Sequence, residues 1–185
     1  MLILGVLLLQ MEIKGDGFNL RELRLDDAAS LQKHADNIAI FNCLLDRFPS
    51  PYTLDDALAF IKLTQADEIQ TKFAIDINSE VVGVIGIDLR EDIYRKSALI
   101  GYWLGQEHWG KGIMPKAVKL VVDYGFANLD IVRLQAGVLG NNPKSMRVLE
   151  KAGLVKEAVC KNAIVKNDLI LDEHLYAILK PLPNL

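Results

Sequence analysis

A short glycine-bearing stretch offers the clearest chemistry in this chain of 185 residues. It reads Trp-Gly-Lys-Gly-Ile-Met-Pro over residues 109–115, between an apolar run that ends at Leu104 and an amphipathic run that begins near Met114. A tight turn that opens a helix presents backbone N–H groups without an intrahelical partner, and the helix dipole adds partial positive charge there. The pattern therefore predicts a seat for a phosphate group.

Elements that would position this turn are visible on both sides of it. Ahead of it, residues 72–77 and 81–89 are β-branched runs separated by Asn78-Ser79-Glu80, which predicts an antiparallel hairpin. Ser97–Leu104 predicts a third strand that leads into the turn. The helix after the turn is expected to bury Ala117, Leu120, Val121 and Tyr124.

The chain beyond that helix predicts three more strands and a short helix. Asn142 with Pro143 has the form of a helix start, and Gly153 has the form of a helix end. The expected strands cover residues 133–139, 155–165 and 170–179.

Two further helices are predicted ahead of the hairpin. Residues 20–25 alternate apolar and charged side chains, as in a half-buried strand, after which Asp26 is placed to cap a helix. Thr53 and Asp56 have the spacing of a capping box. The residues expected on the buried faces of these helices are Leu31, Ala35, Ile38, Leu54, Ala57, Leu58 and Ile61.

Composition limits the classes of function. The length and a hydrophobic content of 51% suit one domain with a real core, and we take residues 1–185 as that domain. A formal charge of -3 gives no basic footprint for nucleic acid. Cys43 and Cys160 lack the paired spacing of a zinc site, so we expect reduced thiols in the cytoplasm, with neither a disulfide framework nor a metal.

The first nine residues are uniformly apolar apart from Gly5. No basic residue precedes them, no small-residue cleavage site follows them, and they fall short of the ~20 residues that span a bilayer. We expect an extra strand within residues 1–14, either buried or covered by a partner, with a misassigned start codon as the alternative.

Two long stretches carry a resemblance to a known family. The segment IGYWLGQEHWGKGIMPKAVKLVVDYGF, followed by NNPKSMRVLEKAGL, resembles the GNAT superfamily of acetyl-CoA-dependent N-acetyltransferases. RFPSPYTLDDALAFI and DEHLYAIL are similar to the branch that contains the ribosomal-protein alanine N-acetyltransferases. The resemblance implies an α+β fold with a mixed, mostly antiparallel sheet that splays at the cofactor site and has helices on both faces.

The resemblance also implies a site for acetyl-CoA as co-substrate. The family's pyrophosphate loop falls on residues 109–114, where Met114 replaces a small residue and must either point away from the diphosphate or reduce affinity. Asn142 is expected to cap its helix, to bind the cofactor arm, or to do both. The cofactor-binding residues expected are Trp103, Leu104, Trp109, Gly110, Lys111, Gly112, Ile113, Met114, Asn142 and Ser145. The large rings of Trp103 and Trp109 are expected to pack within the protein rather than to stack on a substrate. Lys111 is expected on the surface near the phosphate.

The reaction that the resemblance implies is direct attack of a primary amine on the thioester. The superfamily's tyrosine acid falls on Leu149, and Ser145 is the expected replacement near the departing sulfur. Glu107 is the expected catalytic base, among the alternatives Asp88, Asp92, Asp172 and His174. His174 faces the substrate cleft or is structural, while His34 is expected on a surface and His108 in an exposed loop.

The sequence does not decide whether the acetyl acceptor is a protein or peptide N-terminus or a small amine. We expect no nucleic-acid or membrane partner, and a homodimer is allowed for. Two other functions stay open. Met114 and the missing tyrosine are compatible with a CoA-binding module of weak or no activity, and the apolar N-terminal segment is compatible with an interaction protein.

Overall fold

The computed structural model describes residues 12–181, so the strand expected over the first nine residues lies outside the described part. Within it, the strands are β1 (Ile13–Lys14), β2 (Asn19–Arg21), β3 (Lys72–Ile77), β4 (Glu80–Leu89), β5 (Ser97–Leu104), β6 (Arg133–Leu139), β7 (Val155–Lys166) and β8 (Leu169–Leu179). The α-helices are α1 (Ala28–Ala35), α2 (Ile38–Phe41), α3 (Leu54–Gln65), α4 (Ile113–Asn128) and α5 (Pro143–Lys151). None of these helices has the length and apolar character needed to cross a membrane.

A single sheet runs through the described residues in the order β1-β2-β3-β4-β5-β6-β8-β7. All neighbours are antiparallel except β5 and β6, which run parallel. One hydrophobic cluster lies between the sheet and helices α4 and α5, and a second lies between the sheet and helices α1 and α3. The α+β fold with helices on both faces is therefore confirmed.

The sheet opens between β5 and β6. The two strands pair only at Ser97–Leu99 with Arg133–Gln135, near the start of each strand. Beyond that point β5 stays paired with β4 through Leu104, and β6 stays paired with β8 through Leu139. We call this wedge between the two unpaired edges the splay, and it confirms the opening that the family resemblance implies.

Local sequence signals account for most element ends. Asn78 and Ser79 have positive φ values of 52° and 66°, which produce the tight hairpin between β3 and β4. Thr53 and Asp56 form the reciprocal capping box that begins α3. Asn142 caps α5 by accepting a hydrogen bond from the backbone N–H of Ser145.

The N-terminal prediction was wrong in detail. The strand expected over residues 20–25 is shorter, and Leu25 begins a 3-10 turn instead. The residue whose side chain engages the backbone there is Asp27, which accepts from the N–H of Arg24 at 2.7 Å, rather than Asp26. Ile38 lies beyond the end of α1 and is 64% exposed, because Asn37 starts a separate helix. Leu54 is likewise exposed, as the first residue of α3.

Candidate functional site

The glycine turn, residues 109–112, joins β5 to α4 through a 3-10 turn over Gln106–His108. Gly110 and Gly112 have φ values of 76° and 77°, a left-handed backbone that L-residues rarely adopt. A Cβ added at either glycine would meet no atom within 4 Å. The backbone geometry therefore calls for glycine, while the outer face of the turn is open to a ligand.

The N-terminus of α4 is free to bind an anion. Gly112 is its N-cap and no side chain caps the helix. The first N–H groups of a helix have no intrahelical partner, so the N–H groups of Ile113 and Met114 are available to a ligand. Pro115, the next residue, has no backbone N–H. The Ile113 and Met114 side chains are buried in the core on the α4 side. The Met114 side chain thus packs into the core rather than on the open face of the turn.

Trp109 fastens the turn to the end of β5. Its indole Nε1 donates a hydrogen bond to the Leu104 carbonyl at 2.6 Å, and its ring packs against the core. Lys144, at the start of α5, places its Nζ 4.9 Å from the centre of the same ring. Lys111 is exposed on the turn itself. Two cations therefore lie beside a site whose backbone geometry suits phosphate.

Tyr102 connects β5 to α5 across the splay. Its hydroxyl lies 2.9 Å from the Ser145 Oγ, and Ser145 is in the first turn of α5 beside its cap Asn142. Burial raises the pKa of Tyr102 to about 12, although the hydrogen bond with Ser145 acts in the opposite direction. The phenol is therefore protonated at neutral pH and can donate to Ser145.

Sequence reasoning missed Tyr102, although a signal was present. Side chains alternate along a strand, so Tyr102 shares its face of β5 with Ile100 and Leu104, both of which lie in the core on the α4 side. Ser145 lies on that side as well, because α5 packs there. Trp103 points the other way and packs edge-on against Phe48 at 6.1 Å between ring centres.

Among the alternative bases, Asp88 and Asp172 are ion-paired with lysines, and Asp92 lies on an exposed turn. Lys72 Nζ lies 2.5 Å from the Asp88 carboxylate. The hydrogen bond from Lys161 lowers the pKa of Asp172, which makes Asp172 a weak proton acceptor. Asp92 begins an exposed 3-10 turn. His174 lines a second cleft of about 340 Å³ with Gly140, Asn141, Ile170, Leu171 and Asp172.

Glu107 lies at the other end of the site, in contact with two histidines. Its carboxylate is 3.2 Å from His34 Nδ1 and 3.8 Å from His108 Nε2. A cleft of about 420 Å³ opens here, the end-of-strand cleft, lined by Lys33, His34, Asn37, Gln106 and Glu107. The surface position expected for His34 was wrong, because its side chain is 4% exposed between α1 and the end of β5. His108 is also largely covered rather than exposed, and burial lowers its pKa.

Glu173 is an acid over the unpaired stretch of β6 that the sequence did not single out. A Cβ added at Gly137 would lie 2.1 Å from the Glu173 carboxylate oxygen, so this carboxylate lies directly over the glycine. Gly137 belongs to the stretch of β6 that has left β5. Strand alternation places Glu173 on the face of β8 opposite His174 and Tyr176.

Comparison with known proteins gives these features a context. The family described as the acetyltransferase (GNAT) domain matches residues 18–155. The probable N-acetyltransferase YjcK of Bacillus subtilis (strain 168) is 49% identical over 86 residues, 46% of this chain and 48% of the relative. The ribosomal-protein-serine acetyltransferase of Escherichia coli (strain K12) is 32% identical over 105 residues, 57% of this chain and 58% of the relative. The matches thus span about half the length of these relatives.

A solved structure reproduces the fold over nearly the whole chain. RimL, a ribosomal L7/L12 alpha-N-protein acetyltransferase in complex with coenzyme A, has a TM-score of 0.79 at 21% identity. The superposition covers 92% of this chain and 98% of RimL. At this identity the likeness establishes a shared architecture.

The left-handed backbone at Gly112 leads to a stability prediction. Gly112→Ala should lower the free energy of unfolding by about 1–2 kcal/mol, because an L-residue pays that cost in this conformation. Urea denaturation measures the change. Gly101→Ala is the matched control, since Gly101 has no positive φ and an added Cβ would meet no atom within 4 Å. Equal losses in the two variants would contradict the role of φ.

Proposed function

The chain belongs to the acetyltransferase (GNAT) family, and from this premise we propose that it transfers an acetyl group from acetyl-CoA to a primary amine. The observation that carries the proposal is the position of the glycine turn directly beside the splay. An anion-binding helix N-terminus and two unpaired strand edges together suit a long ligand with a phosphate at one end and a reactive group at the other.

In this proposal, the expected cofactor residues divide by part of the ligand. Backbone N–H groups from Gly110 to Met114 bind the diphosphate, with Lys111 adding charge. The unpaired edges of β5 and β6 accept the pantetheine arm through backbone hydrogen bonds. The side-chain oxygen of Asn142 caps the helix by accepting a hydrogen bond from the Ser145 N–H. The side-chain amide nitrogen does not take part in the cap and can donate a hydrogen bond to the arm.

The proposed chemistry is direct attack within a ternary complex. The neutral amine nitrogen forms a bond to the thioester carbon, and a backbone N–H near Leu104 stabilises the resulting oxyanion. The C–S bond then breaks and releases the thiolate, to which Ser145 donates its hydroxyl proton. The serine regains a proton from solvent, while the proton lost by the amine passes to the base. Tyr102 is a positioning residue in this step, because its protonated hydroxyl fixes the Ser145 Oγ at 2.9 Å. Most of the acceleration comes from holding both substrates in place.

A base must also accept a proton from the amine. Glu107 is the candidate from the sequence, and its carboxylate is held beside His34. Glu173 is the candidate that the structure adds, because its carboxylate lies over Gly137, on the strand that borders the splay. We propose Glu173 as the base, acting directly or through one water, because its carboxylate lies over the unpaired stretch of β6 that would hold the cofactor arm.

The acceptor proposed first is the α-amino group of a protein or peptide. The names of two relatives, a ribosomal-protein-serine acetyltransferase and an L7/L12 alpha-N-protein acetyltransferase, support it. A net charge of -3 is compatible with a cationic acceptor. A small amine is the alternative, and the homodimer stays a prediction.

The burial of Met114 weakens the case for an inactive CoA-binding module. The family tyrosine is missing at Leu149, whose side chain is fully buried. Tyr102 brings a different phenol to Ser145 from the opposite side of the splay. The loss of one hydroxyl therefore does not leave Ser145 without a hydrogen-bonding partner.

Thiol release from acetyl-CoA tests the proposal directly. We expect release that depends on an amine acceptor, measured with N-terminal peptides of ribosomal proteins, polyamines and aminoglycosides, alongside calorimetric titration with CoA. Binding of CoA without turnover on every acceptor would support the inactive module instead. Absence of CoA binding would contradict the proposed site altogether.

The pair formed by Ser145 and Tyr102 gives a graded prediction. Ser145→Ala should lower kcat about a hundredfold or more, as expected for removal of a general acid. Tyr102→Phe should lower it about tenfold or less, because it removes one hydrogen bond worth about 1 kcal/mol. Tyr94→Phe is the matched control, since Tyr94 is an exposed tyrosine on another element. An unchanged rate for Ser145→Ala would reduce Ser145 to a residue of the helix cap.

Matched amide variants separate the two candidate bases. We expect Glu173→Gln to lower kcat about a hundredfold, because the amide cannot accept the proton. Glu107→Gln should have a smaller effect, and exposed Glu68→Gln serves as the control. A loss confined to Glu107→Gln would assign the base to Glu107. Full activity in both variants would contradict a carboxylate base at either position.

A further inference from the structure

Three side chains at the end of β5 bring metal-binding atoms together. His34, Glu107 and His108 each offer one ligand atom, and these atoms all lie within 4.8 Å of one another. The Glu107 carboxylate is 3.2 Å from His34 Nδ1 and 3.8 Å from His108 Nε2. In a tetrahedral zinc site with bonds of about 2.1 Å, ligand atoms lie about 3.4 Å apart. A small movement of His108 would therefore complete the geometry.

Hydrogen-bond accounting at His34 is compatible with a metal ion in this cluster. Both ring nitrogens face carboxylate oxygens, with Nε2 2.9 Å from Glu80 and Nδ1 3.2 Å from Glu107. A neutral imidazole has one N–H and can donate to only one of these acids. A metal ion between Nδ1 and Glu107 would leave the N–H on Nε2 for Glu80. Every polar atom of the ring would then have a partner.

Glu80 supplies the outer contact that metal-binding histidines usually have. A ligating imidazole commonly donates its other N–H to a carboxylate, which fixes the ring and its tautomer. Glu80 occupies that position and is held by Lys33 at 2.7 Å. The absence of a side chain at Gly105 lets the ring lie close to the backbone there, because an added Cβ would come within 2.7 Å of His34 Nδ1. The histidine is therefore oriented before any ion arrives.

The cluster can be reached by an ion from solvent, and it joins two separate elements of the fold. The end-of-strand cleft reaches His34 and Glu107 from solvent, and Glu107 has 62% of its side chain exposed. An open position for water or another ligand is compatible with this exposure. His34 belongs to α1, while Glu107 and His108 belong to the 3-10 turn just before Trp109. An ion held here would tie α1 to the entry of the glycine turn.

We propose that His34, Glu107 and His108 form a site for a divalent transition metal, with Zn²⁺ as the preferred ion. Two imidazoles and one carboxylate are a ligand set that zinc accepts in proteins, with a fourth position left open. Glu80 is a positioning residue that holds His34 for the ion. This proposal is independent of acetyl transfer, and it adds a site that the sequence, through its cysteine spacing, did not predict.

Zinc binding to the full-length chain without a histidine tag tests the proposal. Isothermal titration with ZnCl₂ at pH 7.5 should give one ion per chain and a higher thermal unfolding midpoint. His108→Ala and Glu107→Gln should each weaken binding about tenfold or more, and Glu80→Gln should weaken it about 10–100-fold. Exposed Glu68→Gln is the matched control and should bind as the parent does.

Cobalt substitution identifies the ligand atoms. Co²⁺ should give the visible absorption of a four- or five-coordinate nitrogen and oxygen site, which is lost in His108→Ala. A thiolate-to-cobalt charge-transfer band would assign the ion to Cys43 or Cys160 and overturn the proposal. Unaltered zinc affinity in both His108→Ala and Glu107→Gln would overturn it as well, as would failure of the folded parent chain to bind zinc. Circular dichroism establishes that each variant is folded.

Discussion

The early end of pairing between β5 and β6 is the constraint on which the rest of the site depends. Backbone N–H and C=O groups that leave a ladder require other partners or solvent. Three paired positions hold the strands together at one end, and the remaining lengths diverge. Each diverging strand stays paired with its other neighbour, β4 or β8, over this length. The splay is therefore built into the hydrogen bonding of the sheet.

The glycine turn is attached to the strand that borders the splay. The Trp109 indole donates a hydrogen bond back to the Leu104 carbonyl, which ties the turn to the end of β5. Burial of Ile113 and Met114 secures the other side of the turn in the core. Between these two attachments, Gly110 and Gly112 adopt positive φ values. Packing thus fixes the turn while its polar face stays exposed.

The sequence predicted the parts of this arrangement that depend on local signals. The hairpin at Asn78, the capping box at Thr53 and the cap at Asn142 follow from side chains acting within a few residues. The contact of Tyr102 with Ser145 joins positions 43 residues apart, and no local pattern encodes it. The burial of His34 likewise depends on Glu80 of β4 and on Gly105 just after β5, which the fold brings to it from distant parts of the sequence.

The end of β5 makes contacts on both faces of the sheet. Both apolar and polar residues therefore lie close together there. On the α4 side, Leu104 is buried and Trp109 closes the turn. On the α1 side, His34 packs against Gly105, and its contact with Glu107 holds the 3-10 turn. The segment between β5 and the glycine turn is therefore held by apolar packing on one face of the sheet and by polar contacts on the other.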